Sequence, residues 1–359
     1  MKKIIVATSV LASSVAFAGN YTTNLDGRYD FVNAKNETAN GVTEKYNTFS
    51  NGTIRLNMFS QVNDSLALRF RFRFQKGAIS TIAGAPREDT STQLDYMYAD
   101  YKNQYFTTRF GKQNWLEAVG RESFISATDL YASSQAYADY KTAFGSDYRG
   151  GVSFIYKYAE GTFTLALSNP NVTASADTTG NTRTNNGLAW GAHYTGTFAN
   201  KLVQPVLSYQ SASLDADDDT ATKTKKGSNT MMALGLRSEV AGFVIDADYK
   251  ELKVANRNDT GTTSLVETKT KSIVANVAYA IGEFTPMVTY INDKFSSETT
   301  TAPFKKSTFQ LGASWKPMTD TNFNYHLLYA SSKKEADGSA STVATVKDTR
   351  ITFGIKCDI

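Results

Sequence analysis

Guanidinium groups recur at every second position in one short stretch of the chain. Between Ser65 and Phe74, Arg69, Arg71 and Arg73 alternate with leucine and phenylalanine. Side chains two positions apart in a β-strand point to the same face, so the three arginines share one face and the apolar residues share the other. Such a row of cations attracts anions and orients dipolar solutes, which is electrostatic chemistry rather than bond-making chemistry.

The two histidines, His193 and His326, are the residues that could act as general bases near neutral pH. Neither can be given a serine or aspartate partner from its spacing, so we expect both to line an interior without a catalytic role. Two histidines and one cysteine also make a structural metal site or a disulfide framework an unfavourable interpretation. We therefore predict no enzymatic activity, no metal and no cofactor.

The arginine strand must have water on one face and an apolar environment on the other. A soluble core cannot hold a row of unpaired guanidinium groups, because burying each charge costs several kcal/mol. A barrel in lipid can hold them, since its apolar face contacts acyl chains and its arginines line water. The rest of the chain repeats this alternation, and after residue 18 no apolar run approaches the ~18 residues of a spanning helix.

The alternation predicts an all-β fold, a transmembrane antiparallel β-barrel of about sixteen strands joined by alternately short and long connectors. Pairing of the first strand with the last would remove the exposed edges. The longest connector, 114–147, follows the fifth strand. In the fourth strand we place Leu94, Tyr96 and Tyr98 on the outer face. The predicted strands are 21–32, 48–61, 65–74, 93–101, 105–113, 148–158, 162–168, 187–197, 202–210, 229–238, 243–252, 271–280, 283–291, 307–316, 321–329 and 346–359.

The N-terminus has the features of a secretory signal. A basic start at Lys2 and Lys3 is followed by an apolar stretch and by the small-residue site Ala16-Phe17-Ala18. We predict that residues 1–18 are a cleaved signal peptide and that residues 19–359 form the barrel. Removal of two lysines takes 38 basic residues to 36 against 34 acidic ones, so the mature charge is about +2. This balance argues against nucleic acid as a partner.

Residues 93–158 resemble the sixteen-stranded general porins of Gram-negative bacteria. Segments 95–101 and 108–113 resemble a strand pair that ends in a Gly-Arg-Gln-type signature, and 148–152 resembles the strand after the family's third loop. Two features differ from the family pattern. The longest connector, 114–147, is the third of the long connectors and lacks a Pro-Glu-Phe-Gly-Gly segment. The last residue is Ile359 instead of an aromatic residue.

The resemblance implies a homotrimer in the outer membrane, in contact with lipid and lipopolysaccharide, that passes ions and small hydrophilic solutes through a water-filled channel. It also implies that the long third extracellular loop folds into the lumen, where its acidic residues face a basic wall. In this sequence the loop acids are Glu117, Glu122, Asp129 and Asp139. The basic, pore-lining wall consists of Arg55, Arg69, Arg71, Arg73, Arg109 and Arg149.

Other functions remain open at the level of sequence. The excess of arginine favours a mild preference for anions, although the loop acids could cancel it. A substrate-selective channel for anions or sugars is the nearest alternative, and aromatic side chains assigned mostly to the outer face argue against sugars. An adhesin or structural barrel with an occluded pore is a second alternative, and a barrel enzyme is a third.

Overall fold

The computed structural model describes residues 20–37, 43–76, 90–115, 119–124, 133–144, 148–169, 188–214, 227–257, 265–297, 303–317, 322–338 and 343–358. The predicted signal peptide, 1–18, lies outside these residues. The strands are β1 (Asn20–Glu37), β2 (Thr43–Gln61), β3 (Leu66–Lys76), β4 (Thr90–Lys102), β5 (Thr107–Asn114), β6 (Tyr148–Tyr158), β7 (Gly161–Ser168), β8 (Ala189–Gly196), β9 (Gln204–Leu214), β10 (Gly227–Val240), β11 (Phe243–Arg257), β12 (Leu265–Tyr279), β13 (Phe284–Ser297), β14 (Phe304–Trp315), β15 (Asn322–Ala336) and β16 (Val346–Asp358).

The strands form one closed antiparallel barrel. Each strand pairs with its neighbours in sequence, and β1 pairs with β16 to complete the ring. The predicted fold class and strand number are therefore confirmed. Several strands run further toward the long connectors than predicted; β1, for example, ends at Glu37 instead of residue 32. Polar residues occupy both faces beyond residue 32, so the apolar alternation stops there. Backbone pairing nevertheless continues to Glu37.

The two faces of the barrel differ in polarity along each strand. In β7, Phe163, Leu165 and Leu167 are exposed on the outer face, whereas Thr164 and Ser168 are buried on the inner face. A continuous exposed apolar surface on the outer face of the strands is unusual for a protein in water and typical of a barrel surrounded by lipid. Large aromatic side chains near the strand ends are exposed, and Tyr194 is half-buried; the exposed ones are Tyr158, Trp190, Tyr209, Tyr279, Tyr290, Trp315 and Tyr329.

The prediction for the fourth strand is wrong because of a β-bulge. The pairing of β3 with β4 shifts register between Arg71 and Phe72, which pair with Tyr96 and Leu94 and leave Asp95 without an opposite residue. The extra residue reverses the alternation beyond it. Tyr96 and Tyr98 consequently point inward and are buried, while Leu94 keeps its outward position opposite Phe72.

The described residues of the connector between β5 and β6 include helical segments that the strand pattern did not predict. A short 3-10 helix spans Arg121–Phe124, and an α-helix, α1, spans Gln135–Ala143. None of the helices in the described residues is long and apolar enough to cross a membrane. Both segments contact the inner side of the barrel, as the following subsection describes.

A glycine closes the seam between the first and last strands. A Cβ atom at Gly354 would overlap Asp30 Oδ1 and would lie 2.5 Å from the Tyr29 carbonyl oxygen and 2.6 Å from His326 Nε2. His326 Nε2 and Asp30 Oδ1 are themselves 2.7 Å apart across the seam. We expect Gly354→Ala to lower the free energy of unfolding by about 1–3 kcal/mol, as overpacking does.

Denaturant unfolding of the folded barrel in micelles measures this effect. The matched control is Gly150→Ala, because a Cβ atom at Gly150 has no atom within 4 Å. Equal unfolding midpoints for the two variants would contradict the role of Gly354 in the seam.

Candidate lumenal site

The N-terminus of α1 is held by the barrel wall. Gln135 N donates to Asp293 Oδ1 at 3.0 Å, and Ala136 N donates to Ser272 Oγ at 3.1 Å. Ser134 caps the helix from the chain itself, since its side chain accepts a hydrogen bond from Tyr137 N. The first N–H groups of a helix have no partner within the helix, and a carboxylate there is also favoured by the helix dipole. The barrel wall thus supplies hydrogen-bond acceptors for the N–H groups of Gln135 and Ala136.

A buried ion cluster, formed by Glu122, Asp248 and Lys250, anchors the 3-10 helix. The Lys250 ammonium is fully buried and forms ion pairs with Glu122 and with Asp248, the latter at 3.3 Å. Asp248 also accepts hydrogen bonds from Arg121 N at 2.8 Å and Glu122 N at 2.6 Å. Ser134 donates to Glu122 through its amide and its hydroxyl. The cluster therefore ties both helical segments to β11.

This cluster corrects the assignment of Glu122. We expected it to face the arginines across the lumen, but its carboxylate is only 3% exposed and is occupied by Lys250 and Ser134. A buried carboxylate is tolerated only where a cation and hydrogen bonds compensate it, and β11 provides both. Glu122 is an anchor of the connector and not a free charge on its surface.

A second ion pair lies beside the anchor. Arg121 Nε is 3.2 Å from Asp246 Oδ1, and Asp246 also receives a bidentate contact from Arg237. Burial and the neighbouring Arg237 lower the pKa of the Arg121 guanidinium, and Asp246 opposes this shift. The group stays protonated, because an arginine side chain remains charged in proteins.

One face of α1 forms an apolar cluster inside the barrel. Ala136, Tyr140 and Ala143 follow a helical spacing and are buried against wall residues that include Met231 and Leu252. At the far end of the helix, Asn229 Nδ2 donates to the Ala143 carbonyl at 2.7 Å. The polar ends and the apolar face of α1 together fix it against the inner side of β9–β13.

Arg149 belongs to this packing and not to the open wall. It is 1% exposed, and its guanidinium carbon lies 4.8 Å from the ring centroid of Trp115 and 5.3 Å from that of Phe144. Its Nη2 donates to the Tyr140 hydroxyl at 2.7 Å, and this hydroxyl donates to Gln210. The aromatic residues of the connector cover the guanidinium, so the assignment of Arg149 to the pore lining is corrected.

Three of the remaining wall arginines contact carboxylates of neighbouring strands. Arg73 lies 2.9 Å from Asp95, and Arg109 lies 2.7 Å from Asp100. Arg55 is buried and has Asp26 at 3.7 Å and Asp95 at 4.0 Å. Asp95, the extra residue at the bulge in β4, therefore contacts both Arg55 and Arg73.

Arg69 and Arg71 differ from these arginines, because within the described residues neither lies within ion-pair distance of a carboxylate. Both guanidinium groups lie over the ring of Tyr96, with distances to its centroid of 5.5 Å for Arg69 and 4.8 Å for Arg71. Arg71 Nε donates to Asn57 Oδ1 at 2.7 Å, and the Arg69 side chain is exposed. A stacked guanidinium keeps most of its N–H donors available. Among the wall arginines, these two therefore carry positive charge that no carboxylate of the described residues compensates within ion-pair distance.

The other predicted residues are placed as follows. Asp139 on α1 accepts from Thr270 Oγ1 at 2.8 Å, so it contacts β12 and not the arginines. Glu117 and Asp129 lie outside the described residues. His193 packs edge-on against Trp115, and His326 contacts Asp30. In the described part of the chain the two histidines do not form one site.

Sequence reasoning missed Lys250, Asp248, Asp293 and Tyr96 as site residues. A signal for two of them exists in β11, where Asp246, Asp248 and Lys250 alternate with Ile245, Ala247 and Tyr249. This alternation assigns the charged residues to the inner face. Their partners on the connector could not be deduced, since those contacts join positions more than a hundred residues apart.

Comparisons with known proteins show the fold. A scan against protein-family models matches none, and a search of curated proteins finds no match. The outer membrane channel DcaP of Acinetobacter baumannii is 15% identical with a TM-score of 0.67, covering 95% of this chain and 100% of that chain. The anion-selective porin from Comamonas acidovorans is 13% identical with a TM-score of 0.64, covering 95% and 100%.

A third similar structure is the in-vitro folded, trimer form of OmpT, an outer membrane protein of Vibrio cholerae. It is 11% identical with a TM-score of 0.57, covering 93% of this chain and 99% of that chain. At these identities the likeness concerns the backbone over nearly the whole chain. The protein therefore has the fold of a porin-like barrel.

Proposed function

We propose that the protein is an outer-membrane porin, a passive channel for ions and small hydrophilic solutes, and that it has no enzymatic activity. The observation that carries this proposal is the closed ring of sixteen strands with a polar inner face and an exposed apolar outer face. A barrel of this size is too wide for its own inward side chains to fill, so it leaves an aqueous channel. The apolar outer face suits acyl chains.

The proposed constriction lies between two unlike walls. On one side α1 and its anchor cover β9–β13, which fills part of the cross-section with packed side chains. On the other side the exposed Arg69 and the half-buried Arg71 point inward from β3. The channel is then narrowed by the docked connector and is lined by guanidinium groups opposite to it.

A preference for anions is a more specific candidate within this function. It is favoured by Arg69 and Arg71, because the other wall arginines face carboxylates and these two do not within the described residues. Uncompensated charges at a narrow passage bias the selection of ions by sign. The anion-selective porin among the similar structures agrees with this candidate.

A homotrimer is the proposed assembly. It is supported by the exposed apolar face, part of which can pack against other subunits while the rest contacts lipid, and by the trimer form of one similar structure. We expect the assembly in the outer membrane, with its long connectors exposed to the outside and the predicted signal removed.

Single-channel recording in a planar bilayer under a salt gradient tests the proposal. We expect large ohmic current steps that arrive in threes, with a reversal potential of the sign given by anion preference. Protein that is folded and inserted but carries no current would contradict the channel and would favour an adhesin or an occluded structural barrel. Current with cation preference would retain the channel and reject the anion candidate.

A further inference from the structure

Small residues lie side by side on the inner wall of the barrel, behind the docked connector. One row of paired residues crosses β6, β7, β8 and β9, and its members are Ser153, Ala166, Gly191 and Gln210. This row spans three strand spacings, which is about 14 Å. The neighbouring row contains Gly151, Ser168 and Ala189. Because the middle of both rows is small, the wall has a hollow there, with a floor made by Gly151, Ala166, Ser168 and Gly191.

A guanidinium group is held above one end of this hollow. The Tyr140 hydroxyl lies 2.7 Å from Arg149 Nη2 and 2.7 Å from Gln210 Oε1, so it joins the guanidinium to the β9 end of the row. Tyr140 belongs to α1, and it is fully buried. The connector and Arg149 therefore cover the hollow together.

Two further rings extend this cover. The Trp115 ring packs against the Arg149 guanidinium, and its centroid is 6.5 Å from that of the His193 imidazole. His193 lies over the floor, because its Nε2 is 2.9 Å from the position that a Cβ atom would take on Gly191. Trp115, His193 and Ala166 are at most 5% exposed. The hollow is consequently enclosed between the wall and the connector.

Several buried polar atoms around the hollow have no hydrogen-bond partner among the described residues. They are Gln113 Nε2, Ser168 Oγ, both ring nitrogen atoms of His193, and Gln210 Nε2. All four side chains are at most 4% exposed, so bulk water does not reach them. Buried polar atoms in folded proteins nearly always have a partner, because an unmade hydrogen bond is costly. Four such side chains around one hollow therefore indicate a bound guest.

The unpartnered atoms are mainly hydrogen-bond donors. The carboxamide oxygens of Gln113 and Gln210 already accept bonds from Ser153 and Tyr140, so their amide nitrogens are the groups left over. Each amide nitrogen carries two N–H groups, and the imidazole carries at least one in either protonation state. A water molecule would bring two more protons that need acceptors, whereas an anion accepts from every donor. The donors and the nearby guanidinium charge thus fit an anion best.

We propose that the hollow binds one small inorganic anion, of the size of chloride, through the amide nitrogens of Gln113 and Gln210 and the imidazole of His193. The ion is enclosed, so it is a structural ion and not one of those that pass through the channel. It lies under the side chains that join α1 to β6 and β9, and it gives the connector an attachment that is separate from the Lys250 cluster. This inference does not rest on conduction or on the anion preference of the passage.

The first measurement uses bromide as the probe, because its anomalous scattering identifies the ion. Crystals of the folded protein are grown with bromide in place of chloride, and data are collected at the bromine absorption edge. We expect an anomalous peak in the hollow, within hydrogen-bond distance of His193 and Gln210. Solvent density there without anomalous signal would show water instead and would overturn the proposal.

The second measurement is thermal unfolding in non-ionic micelles, with chloride varied and the ionic strength kept constant with isethionate. A ligand that binds the folded state alone stabilises it as its concentration rises. For a dissociation constant of about 1 mM we expect the unfolding midpoint to rise by about 3–6 °C between about 1 and about 100 mM chloride. A bromide peak without any such rise would be binding at crystal concentration only and would overturn the proposal as well.

The test variant is His193→Phe, which keeps a ring against Trp115 and removes both nitrogen atoms. It is expected to lose most of the chloride-dependent rise, whereas His193→Gln keeps an N–H donor and should retain part of it. The matched control is His326→Phe, because His326 is equally buried but contacts Asp30 at the seam. It should shift the midpoint and keep the full rise. Equal chloride dependence of His193→Phe and wild type would contradict the assigned site.

A second pair of variants keeps the test open if His193→Phe does not fold. In Gly191→Ala the new methyl group lies 2.9 Å from His193 Nε2, so the imidazole must move and the hollow becomes smaller. We expect this variant to lose the bromide peak and the rise with chloride. Gly150→Ala is its control, since a Cβ atom there has no atom within 4 Å. A bromide peak that persists in Gly191→Ala at wild-type height would overturn the proposal.

Discussion

Reversal of both uncompensated guanidinium charges, Arg69→Glu together with Arg71→Glu, is expected to turn an anion-preferring channel into a cation-preferring one. The double substitution changes the charge of the inner wall by four units. A monovalent ion about 7 Å from one such charge gains or loses about 0.6 kcal/mol in water, and salt screens part of this. We expect the chloride-to-potassium permeability ratio to fall roughly tenfold, measured from reversal potentials in a salt gradient.

The control for this experiment is the same charge reversal on the outer face, Lys294→Glu together with Lys305→Glu. These side chains point away from the lumen, so the permeability ratio should not change. Neutralisation by Arg69→Gln and Arg71→Gln should give an intermediate ratio. An unchanged ratio in the Glu variant would remove both arginines from the selectivity mechanism, even if the channel itself conducts.

Loss of the buried ammonium in Lys250→Met is expected to have the largest effect on stability. The substitution nearly preserves volume but leaves the carboxylates of Glu122 and Asp248 buried without their cation. Removal of one partner of a buried ion pair typically costs 3–5 kcal/mol, so we expect the free energy of unfolding to fall by about that amount. Denaturant unfolding in micelles measures the loss.

The same variant should change the current through the channel, because Lys250 helps to hold both helical segments of the connector. We expect noisier single-channel currents than in the wild type. Addition of Glu122→Gln removes one of the two uncompensated carboxylates, so the double variant should recover part of the lost stability, with a coupling energy of about 0.5–3 kcal/mol. The exposed Lys157→Met is the control and should stay within about 0.5 kcal/mol of the wild type. Wild-type stability of Lys250→Met would show that the cluster does not anchor the connector.

The barrel was predictable because a strand between lipid and water carries its own signal. In β7, β13 and β14 the alternation of apolar and polar residues identifies the strand and also its faces. Where both faces are polar, as in the last residues of β1, the signal disappears and the strand end is misplaced.

The faces of Tyr96 and Tyr98 could not be predicted because a bulge adds one residue without altering the local pattern. An alternating sequence carries no mark of the point at which the pairing slips by one position. The pairing of β3 with β2, by contrast, runs without a register shift past Arg69, Arg71 and Arg73. The carboxylates that accompany several of them become visible only when neighbouring strands are aligned.

The candidate site was predictable only in part, because its contacts are long-range. The alternation in β3 places Arg69 and Arg71 on the inner face, but it cannot show which arginines have carboxylate partners. The burial of Glu122 and Arg149 depends on how the connector packs, and hydrophobic periodicity does not report a partner on a distant strand. The chemistry of single residues was therefore easier to predict than their exposure.

The anchors of the third connector have a consequence for the order in which the chain folds. Arg121 is 127 residues from Asp248, and Gln135 is 158 residues from Asp293. Strands β11–β13 must therefore be made and paired before the connector has a surface on which to dock. Contacts of such sequence separation form slowly. Docking of the connector is then a late step of its own. Closure of the barrel and narrowing of its lumen by the connector are therefore separate kinetic events.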